Sequence, residues 1–324
     1  MSNYMNDVPM TPGASASMGT AQDTEVVAFL AKTENASDVS TVLATIYKSD
    51  PTDKVNKKTD IQAVQQFVTV KISEIGMSFI VEEGKHFQGQ VFFKRSIFQE
   101  YHCQANSSAY VDHQSVVPQM PSFQFKINLA MILDCLNIFG HTPNKYTSLQ
   151  FVYRGYGSPF ILLLEEDGVI TNCSIKTMDA EDTLSFDYAG TVANRVLIDS
   201  DNLLEAFGEL DYSSSILKIL LTPDIPFLKL STNGQMGAFT MDFCKSREPG
   251  EIFESFQLNE PIRHSFQLSL IKPCIKALTI AKKTRMLLTR NGLLSFQHVV
   301  PIGTHVHTIE FYILASDLPD DMTF

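Results

Sequence analysis

One strand-and-helix pattern occurs twice in this sequence and constrains its fold more than any other feature. The first copy is Ser122 to Gly140, SFQFKINLAMILDCLNIFG, and the second is Ser265 to Lys283, SFQLSLIKPCIKALTIAKK. In both copies alternating apolar residues give way to helical spacing, at Asn128 in the first and at Ser269 in the second, and both residues are good helix N-caps. These positions lie 269 − 128 = 141 residues apart. A repeat at about half the chain length predicts two similar domains.

Four segments have helical spacing, two in each half, and each carries an apolar stripe at positions b, b+4 and b+7 counted from its first buried residue. The stripe residues are Val39, Leu43 and Ile46; Leu129, Leu133 and Leu136; Leu203, Phe207 and Leu210; and Leu270, Cys274 and Ala277. The opposite face lies at b+2, b+6 and b+9, about 180° away at ~100° per residue. There the last helix carries Lys272 and Lys276, and we expect Lys283 to continue the row. Lys48 holds such a position in the first helix, whereas the third has glutamates there.

The remaining sequence alternates in the manner of β-strands separated by turn residues, which predicts an α+β fold. We expect two similar domains, each with two helices packed on antiparallel sheets. Residues 1–23 are expected to be a disordered tail, residues 24–178 the first domain and residues 191–316 the second. The acidic segment 179–190 has no strong periodicity and is interpreted as the connector between the domains. Residues 317–324 are expected to be an acidic tail.

Charge and cysteine content limit the classes of function. The net charge of −11 disfavours nucleic-acid binding as an average property, because phosphate binding needs clustered lysine and arginine, so the location of the lysines decides the matter. Five cysteines without metal-ligand spacing indicate buried thiols in a reducing compartment, cytosol or nucleus. The longest clearly apolar run, Phe160 to Leu164, is far shorter than the ~20 residues that span a bilayer. No membrane association is therefore expected.

Several stretches resemble one family. The resemblance covers nearly the whole folded chain and is carried by LDCLNIFG (133–140), YGSPFILLLEEDGVI (156–170), EAFGELD (205–211), TPDIPFLKLSTNG (222–234) and LIKPCIKAL (270–278). These stretches are similar to the Rad-type subunit of the heterotrimeric DNA-damage checkpoint clamp. The resemblance implies the DNA sliding-clamp fold of proliferating cell nuclear antigen, in which helices line a central hole and two other clamp-like subunits complete a ring around duplex DNA. It also implies a nuclear protein that is placed on DNA by a clamp loader without sequence specificity and recruits checkpoint and repair proteins. Members of this family have also been described as 3′ to 5′ exonucleases, but we expect a non-catalytic chain that needs no cofactor.

On this interpretation the residues that face DNA are lysines, whose flexible point charges suit contacts that must slide along phosphates. The candidates are Lys272, Lys276, Lys282, Lys283 and Lys48. From the residues alone, a solvated helix face explains the same lysines.

The resemblance further implies two edge strands that join neighbouring subunits, Val169 to Lys176 and Gly237 to Phe243. Their candidate interface residues are Val169, Thr171, Cys173, Ile175, Phe239, Met241 and Phe243. Without the resemblance, internal strands of one sheet would fit equally well. The resemblance also implies a pocket for partner peptides under the connector, with the candidates Leu184, Phe186, Tyr188 and Ile313. The alternative is that these side chains only pin the connector to the sheets.

Two other functions stay open at this point. A homotrimeric replication clamp has the same fold, and a metal-dependent 3′ to 5′ exonuclease would need carboxylates that hold two metals ~4 Å apart. Candidate carboxylates are Glu82 with Glu83; Glu165 with Glu166 and Asp167; and Asp179 with Glu181 and Asp182. All fall in predicted turns or in the connector, where solubility and turn chemistry explain them. His305 and His307 lack an evident third ligand, so no metal site is expected.

Overall fold

The computed structural model describes residues 27–48, 65–104, 122–140, 146–186, 193–235, 237–244 and 252–316. The two predicted tails, residues 51–62 and Tyr188 lie outside these ranges. The first half contains β1 (Phe29–Thr33), α1 (Ala36–Ala44), β2 (Phe67–Ser73), β3 (Gly76–Glu83), β4 (Phe87–Lys94), a 3₁₀ turn (Arg95–Ile97), β5 (Glu100–Cys103), β6 (Phe123–Asn128), α2 (Leu129–Leu136), β7 (Ser148–Tyr153), β8 (Phe160–Glu166) and β9 (Val169–Ile175). The second contains β10 (Ala193–Asp199), α3 (Ser200–Gly208), β11 (Ile216–Leu221), β12 (Leu228–Gly234), β13 (Gly237–Phe243), β14 (Phe253–Gln257), β15 (Ile262–Gln267), α4 (Leu268–Leu278), β16 (Lys283–Thr289), β17 (Leu293–Ile302) and β18 (His305–Leu314).

The four helices bury the predicted stripes. Every stripe residue is at most 7% exposed, because each helix turns one face toward the sheets. Helix α1 packs on α2 and α3 packs on α4, which gives each half one helix pair. In the described ranges, no helix is long and apolar enough to cross a membrane.

The two copies of the repeated pattern start their helices differently. Asn128 caps α2 as predicted, since its side chain accepts a hydrogen bond from the backbone N–H of Met131 at 3.2 Å. The prediction that Ser269 caps α4 is wrong, because α4 begins at Leu268, after Gln267. Leu268 is buried in the core and its N–H donates to the carbonyl of Ser215 at 2.9 Å. A backbone contact from the residue that precedes β11 thus satisfies a donor that a cap side chain would otherwise serve.

The two halves repeat one sheet topology. A five-stranded sheet, β5-β1-β7-β8-β9, corresponds strand by strand to β14-β10-β16-β17-β18 in the second half. A four-stranded order, β4-β3-β2-β6, likewise corresponds to β13-β12-β11-β15. All of these neighbours are antiparallel. The chain therefore has the α+β sliding-clamp fold that was predicted, with two similar halves.

The halves are joined through a shared sheet. Strand β18 of the second half pairs antiparallel with β4 of the first, so that nine strands form one continuous sheet, β14-β10-β16-β17-β18-β4-β3-β2-β6. We call the β18–β4 pair the internal joint. Phe311 of β18 lies opposite Gly89 of β4, and its ring is fully buried. The counterparts of these two strands, β9 and β13, each end a sheet among the described strands.

Candidate functional site

The lysines of α4 occupy two different environments. Lys272 is exposed, and its Nζ lies 5.2 Å from the ring centroid of Tyr212, within range of a cation–π contact. Lys276 is half-buried, and its ammonium donates a hydrogen bond to the carbonyl of Tyr47, which lies shortly after the end of α1. Burial lowers the pKa of Lys276. Lys272 thus fits a solvent-facing phosphate contact, whereas Lys276 also ties the second half to the first.

Lys283 does not continue the helical row. Helix α4 ends at Leu278, where the N–H groups of Ile280 and Ala281 both donate to the carbonyl of Ala277. Lys283 is instead the first residue of β16, and its Nζ lies 2.7 Å from a carboxylate oxygen of Glu254. The expectation of three lysines on one helix face is therefore wrong.

The two other candidate lysines also differ. Lys282 is exposed in the turn between α4 and β16. Lys48 forms an ion pair with Glu83 at 2.9 Å, and both side chains are about half exposed. A carboxylate neighbour offsets the attraction of such a lysine for phosphate. Lys272 and Lys282 therefore offer the clearest cationic contacts of the five candidates.

The four helices carry more negative than positive charge. Their acidic residues are Asp38, Asp134, Asp201 and Glu205, and their basic residues are Lys272 and Lys276. Met131, on the exposed side of α2, and Ile138, in the turn that follows it, are about half exposed. Positive charge on the helical layer is confined to α4, so this layer attracts phosphate unevenly.

The described part of the connector crosses the outer face of the nine-stranded sheet. It begins at β6, where Gln124 Nε2 donates to the carbonyl of Glu181 at 2.8 Å. Lys71 of β2 then donates to Thr183 Oγ1 at 2.6 Å. Leu184 is held from both sides, since its N–H donates to Glu82 Oε1 at 2.7 Å and its carbonyl accepts from Gln88 at 3.0 Å. These bonds fix the backbone of the connector and leave its apolar side chains to other contacts.

Phe186 of the connector stacks on Tyr312 of β18, with the ring centroids 5.3 Å apart and the planes 9° from parallel. The candidate Ile313 does not belong to this surface, because its side chain is 0% exposed and faces the core. Successive side chains of a strand point to opposite faces, so Tyr312 lies on the connector side. Tyr312 was missed, and the strand alternation of HTIEFYIL was the signal that would have found it. Leu184 is half-buried, and Tyr188 lies outside the described residues.

Both candidate subunit edges are sheet edges among the described strands. Val169 of β9 and Phe239 of β13 are exposed, while Thr171, Cys173 and Met241 are partly buried. Ile175 and Phe243 are buried in the chain's own core, so their side chains lie on the inward face of each edge strand. A partner strand would meet them with the side chains of its own inward face.

Cys173 also contacts the helical layer. It lies next to Cys135 of α2, and burial, with a further contribution from Cys173, raises the pKa of Cys135 to about 12. A thiol with so high a pKa stays protonated at neutral pH and is a weak nucleophile. The pair therefore acts as apolar packing between α2 and β9.

Three of the carboxylates weighed as nuclease ligands have other contacts. Glu82 holds the connector, Glu83 pairs with Lys48, and Glu166 accepts a hydrogen bond from Thr147 Oγ1 at 2.6 Å. His307 is buried against Phe93, which lowers its pKa, whereas His305 is exposed. Among the residues that the structure describes, no group of three His, Cys, Asp or Glu side chains is arranged to hold a metal ion.

A family model described as repair protein Rad1/Rec1/Rad17 matches residues 28–300. The chain is 36% identical over 250 residues to the human cell cycle checkpoint protein RAD1, which covers 76% of this chain and 82% of that protein. It is 26% identical over 187 residues to the DNA repair exonuclease REC1 of Mycosarcoma maydis, covering 48% of this chain and 40% of that one. The fold resembles the crystal structure of proliferating cellular nuclear antigen from Entamoeba histolytica, with a TM-score of 0.63 at 14% identity over 90% of this chain and 100% of that one.

Proposed function

Because this chain belongs to the Rad1/Rec1/Rad17 family of repair proteins, we propose that it is a non-catalytic subunit of a heterotrimeric ring that encircles DNA at damage sites. Two other clamp-like subunits complete the ring, and a clamp loader places it on DNA in the nucleus. The assembled ring recruits checkpoint signalling and repair proteins. The likeness to checkpoint proteins supports the signalling role, and the sliding-clamp fold supports the ring.

The observation that carries this proposal is that the two edge strands, β9 and β13, are the counterparts of β18 and β4, which pair in the internal joint. Within the chain, β18 and β4 pair and place two helix pairs on one side of a continuous sheet. Their counterparts β9 and β13 are edges at opposite ends of the described sheets. Pairing β9 of one chain with β13 of the next repeats the same joint between chains. Repetition of one head-to-tail contact generates a ring when its rotation closes.

Phosphate contacts from this subunit come from Lys272 and Lys282. Lysine contacts to phosphate carry no base information, which suits a protein that slides. The acidic residues of the other helices oppose phosphate, so the other two subunits provide a larger share of the attraction.

The connector surface is the site for partner proteins in this proposal. Phe186 and Tyr312 present stacked rings at the outer face, and aromatic anchors commonly dominate the binding of peptides. The fixed connector backbone beside them keeps these rings in place.

The test is copurification of the full chain from cells, followed by native mass measurement of the complex and of the isolated chain. Two distinct clamp-like chains in equal amount with this one are expected. A homotrimer of this chain alone would contradict the heterotrimeric ring. Magnesium-dependent release of nucleotides from DNA, abolished by a carboxylate substitution in this chain, would contradict the non-catalytic role.

A further inference from the structure

The internal joint defines which residues would meet if β9 of one chain paired with β13 of another. In the hairpins β8–β9 and β17–β18, Ile175 and Phe311 both stand six residues after the first residue of the second strand, since 175 − 169 = 311 − 305 = 6. Both lie opposite a phenylalanine, Phe160 and Phe296. Ile175 of β9 therefore corresponds in position to Phe311 of β18.

The same correspondence holds for β4 and β13. The paired row Phe125, Val70, Phe79 and Val91 of the first half matches the row His264, Ile219, Leu230 and Met241 of the second. Phe239 stands two residues before Met241, as Gly89 stands two residues before Val91. Phe239 of β13 therefore corresponds in position to Gly89 of β4.

In the internal joint, the row of side chains that contains Val81, Gly89 and Phe311 has room for one aromatic ring. A Cβ built at Gly89 would lie 3.0 Å from Cε1 of Phe311 and 3.1 Å from Cγ2 of Val81. The row is enclosed, since Phe311 is 0% and Val81 3% exposed. The ring of Phe311 thus fills the joint only because its partner on β4 is glycine.

At the free edges the aromatic residue lies on β13, the counterpart of β4, and not on β9, the counterpart of β18. Phe239 occupies the glycine position of β13 and is 42% exposed, and the residue opposite it from a second copy would be Ile175. An aromatic–aliphatic pair is favourable on an open sheet face. In an enclosed row it adds a whole isoleucine side chain to a space that one ring fills, and overpacking of this kind is destabilising. Thr232, which lies opposite Phe239 and corresponds to Val81, is only 3% exposed, so β13 has no room behind the ring.

We propose that Phe239 decides which strand can pair with β13: it accepts an edge strand of a different clamp-like chain that carries glycine, alanine or serine opposite the ring, and it rejects the chain's own β9. With a small residue on the partner strand, the row again holds a single aromatic ring. The ring then comes from β13 and the small residue from the partner, whereas in the internal joint the ring of Phe311 comes from β18 and Gly89 from β4. This inference rests on the proposed ring, because it uses the joint geometry between chains.

Charge does not explain the selection. In the same register Asn172 of one copy would face Asp242 of the other, and Ser174 would face Thr240, so no like charges meet. The difference from the internal joint is one of size at a single row.

Sedimentation velocity of the isolated full chain tests the inference. The wild type should be monomeric, and Phe239→Gly should self-associate with a Kd at least tenfold lower. The matched control is Thr240→Gly, which places glycine in the same strand on its other face and should stay monomeric. Phe239→Ala serves as a second variant that retains strand propensity, and it should also self-associate more strongly than wild type.

Two results would overturn the inference: self-association of the wild-type chain, or no stronger self-association in either Phe239 variant while their thermal unfolding matches wild type. The proposed function fails by a different result, namely the absence of clamp-like chains from the copurified complex. Monomeric Phe239 variants together with a normal heterotrimer would therefore reject the inference and leave the ring standing.

Discussion

Gly89→Ala probes the internal joint with a single methyl group. Gly89 does not have a positive φ, so its backbone accepts alanine without strain, and the added Cβ meets the ring of Phe311 at 3.0 Å and Cγ2 of Val81 at 3.1 Å. Carbon atoms pack best at about 3.5–4.0 Å, so both neighbours must move by about 0.5 Å. Overpacking of this size costs about 1–3 kcal/mol. Alanine also lowers the conformational entropy of the unfolded chain, which stabilises the folded state by about 0.4–1 kcal/mol. The two effects leave an expected net loss of about 1 kcal/mol, and at most about 2.6 kcal/mol, in the free energy of unfolding.

Urea denaturation of the full chain, followed by circular dichroism, measures this difference. The matched control is Gly208→Ala at the end of α3, where a Cβ has open space and the helix favours alanine. Both substitutions share the unfolded-state gain, so the difference between them isolates the contact with Phe311 and Val81. A Gly89→Ala variant as stable as the Gly208→Ala variant, with an unchanged m-value, would refute the reasoning about a full row.

Three further outcomes are expected. Burial lowers the pKa of His298 to about 3 against about 6.5 in the unfolded chain, so the stability it contributes is present above pH 6.5 and falls by about 1.4 kcal/mol per pH unit as the pH drops toward 3, as urea denaturation at a series of pH values will show. Replacing both Lys272 and Lys282 by glutamate in the assembled complex should weaken DNA binding and lower the slope of log K against log salt by about 0.9 for each phosphate that is no longer neutralised, measured by fluorescence anisotropy. Phe186→Ala should weaken binding of partner peptides without changing subunit assembly, measured by isothermal titration and native mass.

Each of these has a control on the chain. His298→Gln should remove much of the acid dependence, and an unchanged dependence would assign it to other groups. Lys85→Glu changes an exposed charge in the β3–β4 turn, and an equal effect on DNA binding would show that only net charge matters. Ser185→Ala changes the exposed neighbour of Phe186 and should leave peptide binding unaltered. Loss of assembly in Phe186→Ala would favour a role as a pin for the connector.

Local periodicity predicted the helical layer well because burial of an amphipathic helix is decided within one turn or two. The stripes that include Leu43, Leu133 and Phe207 are buried as expected. Helix ends were harder to predict, since they depend on contacts from elsewhere in the chain. Helix α4 begins at Leu268, one residue before Ser269, where the N–H of Leu268 donates to the carbonyl of Ser215. It ends before Lys283, where two N–H groups donate to the carbonyl of Ala277.

Contacts distant in sequence account for the rest of the candidate site. The ion pairs of Lys48 with Glu83 and of Lys283 with Glu254 join residues of different elements, which no spacing rule connects. Ile313 was assigned to the connector surface although strand alternation puts Tyr312 there. The edge positions of β9 and β13 agree with the resemblance, whereas alternation alone was compatible with internal strands.

The internal joint also sets the order in which the chain can finish folding during synthesis. Strand β4 ends at Lys94 and its partner β18 begins at His305, so 305 − 94 = 211 residues of synthesis separate the two. At about 5–20 residues per second, a ribosome leaves the edge of β4 unpaired for about 10–40 s. An open edge is a template for the wrong strand throughout that interval. A chain interrupted before His305 would keep this edge open permanently, so we expect premature termination to produce aggregation rather than a half-functional subunit.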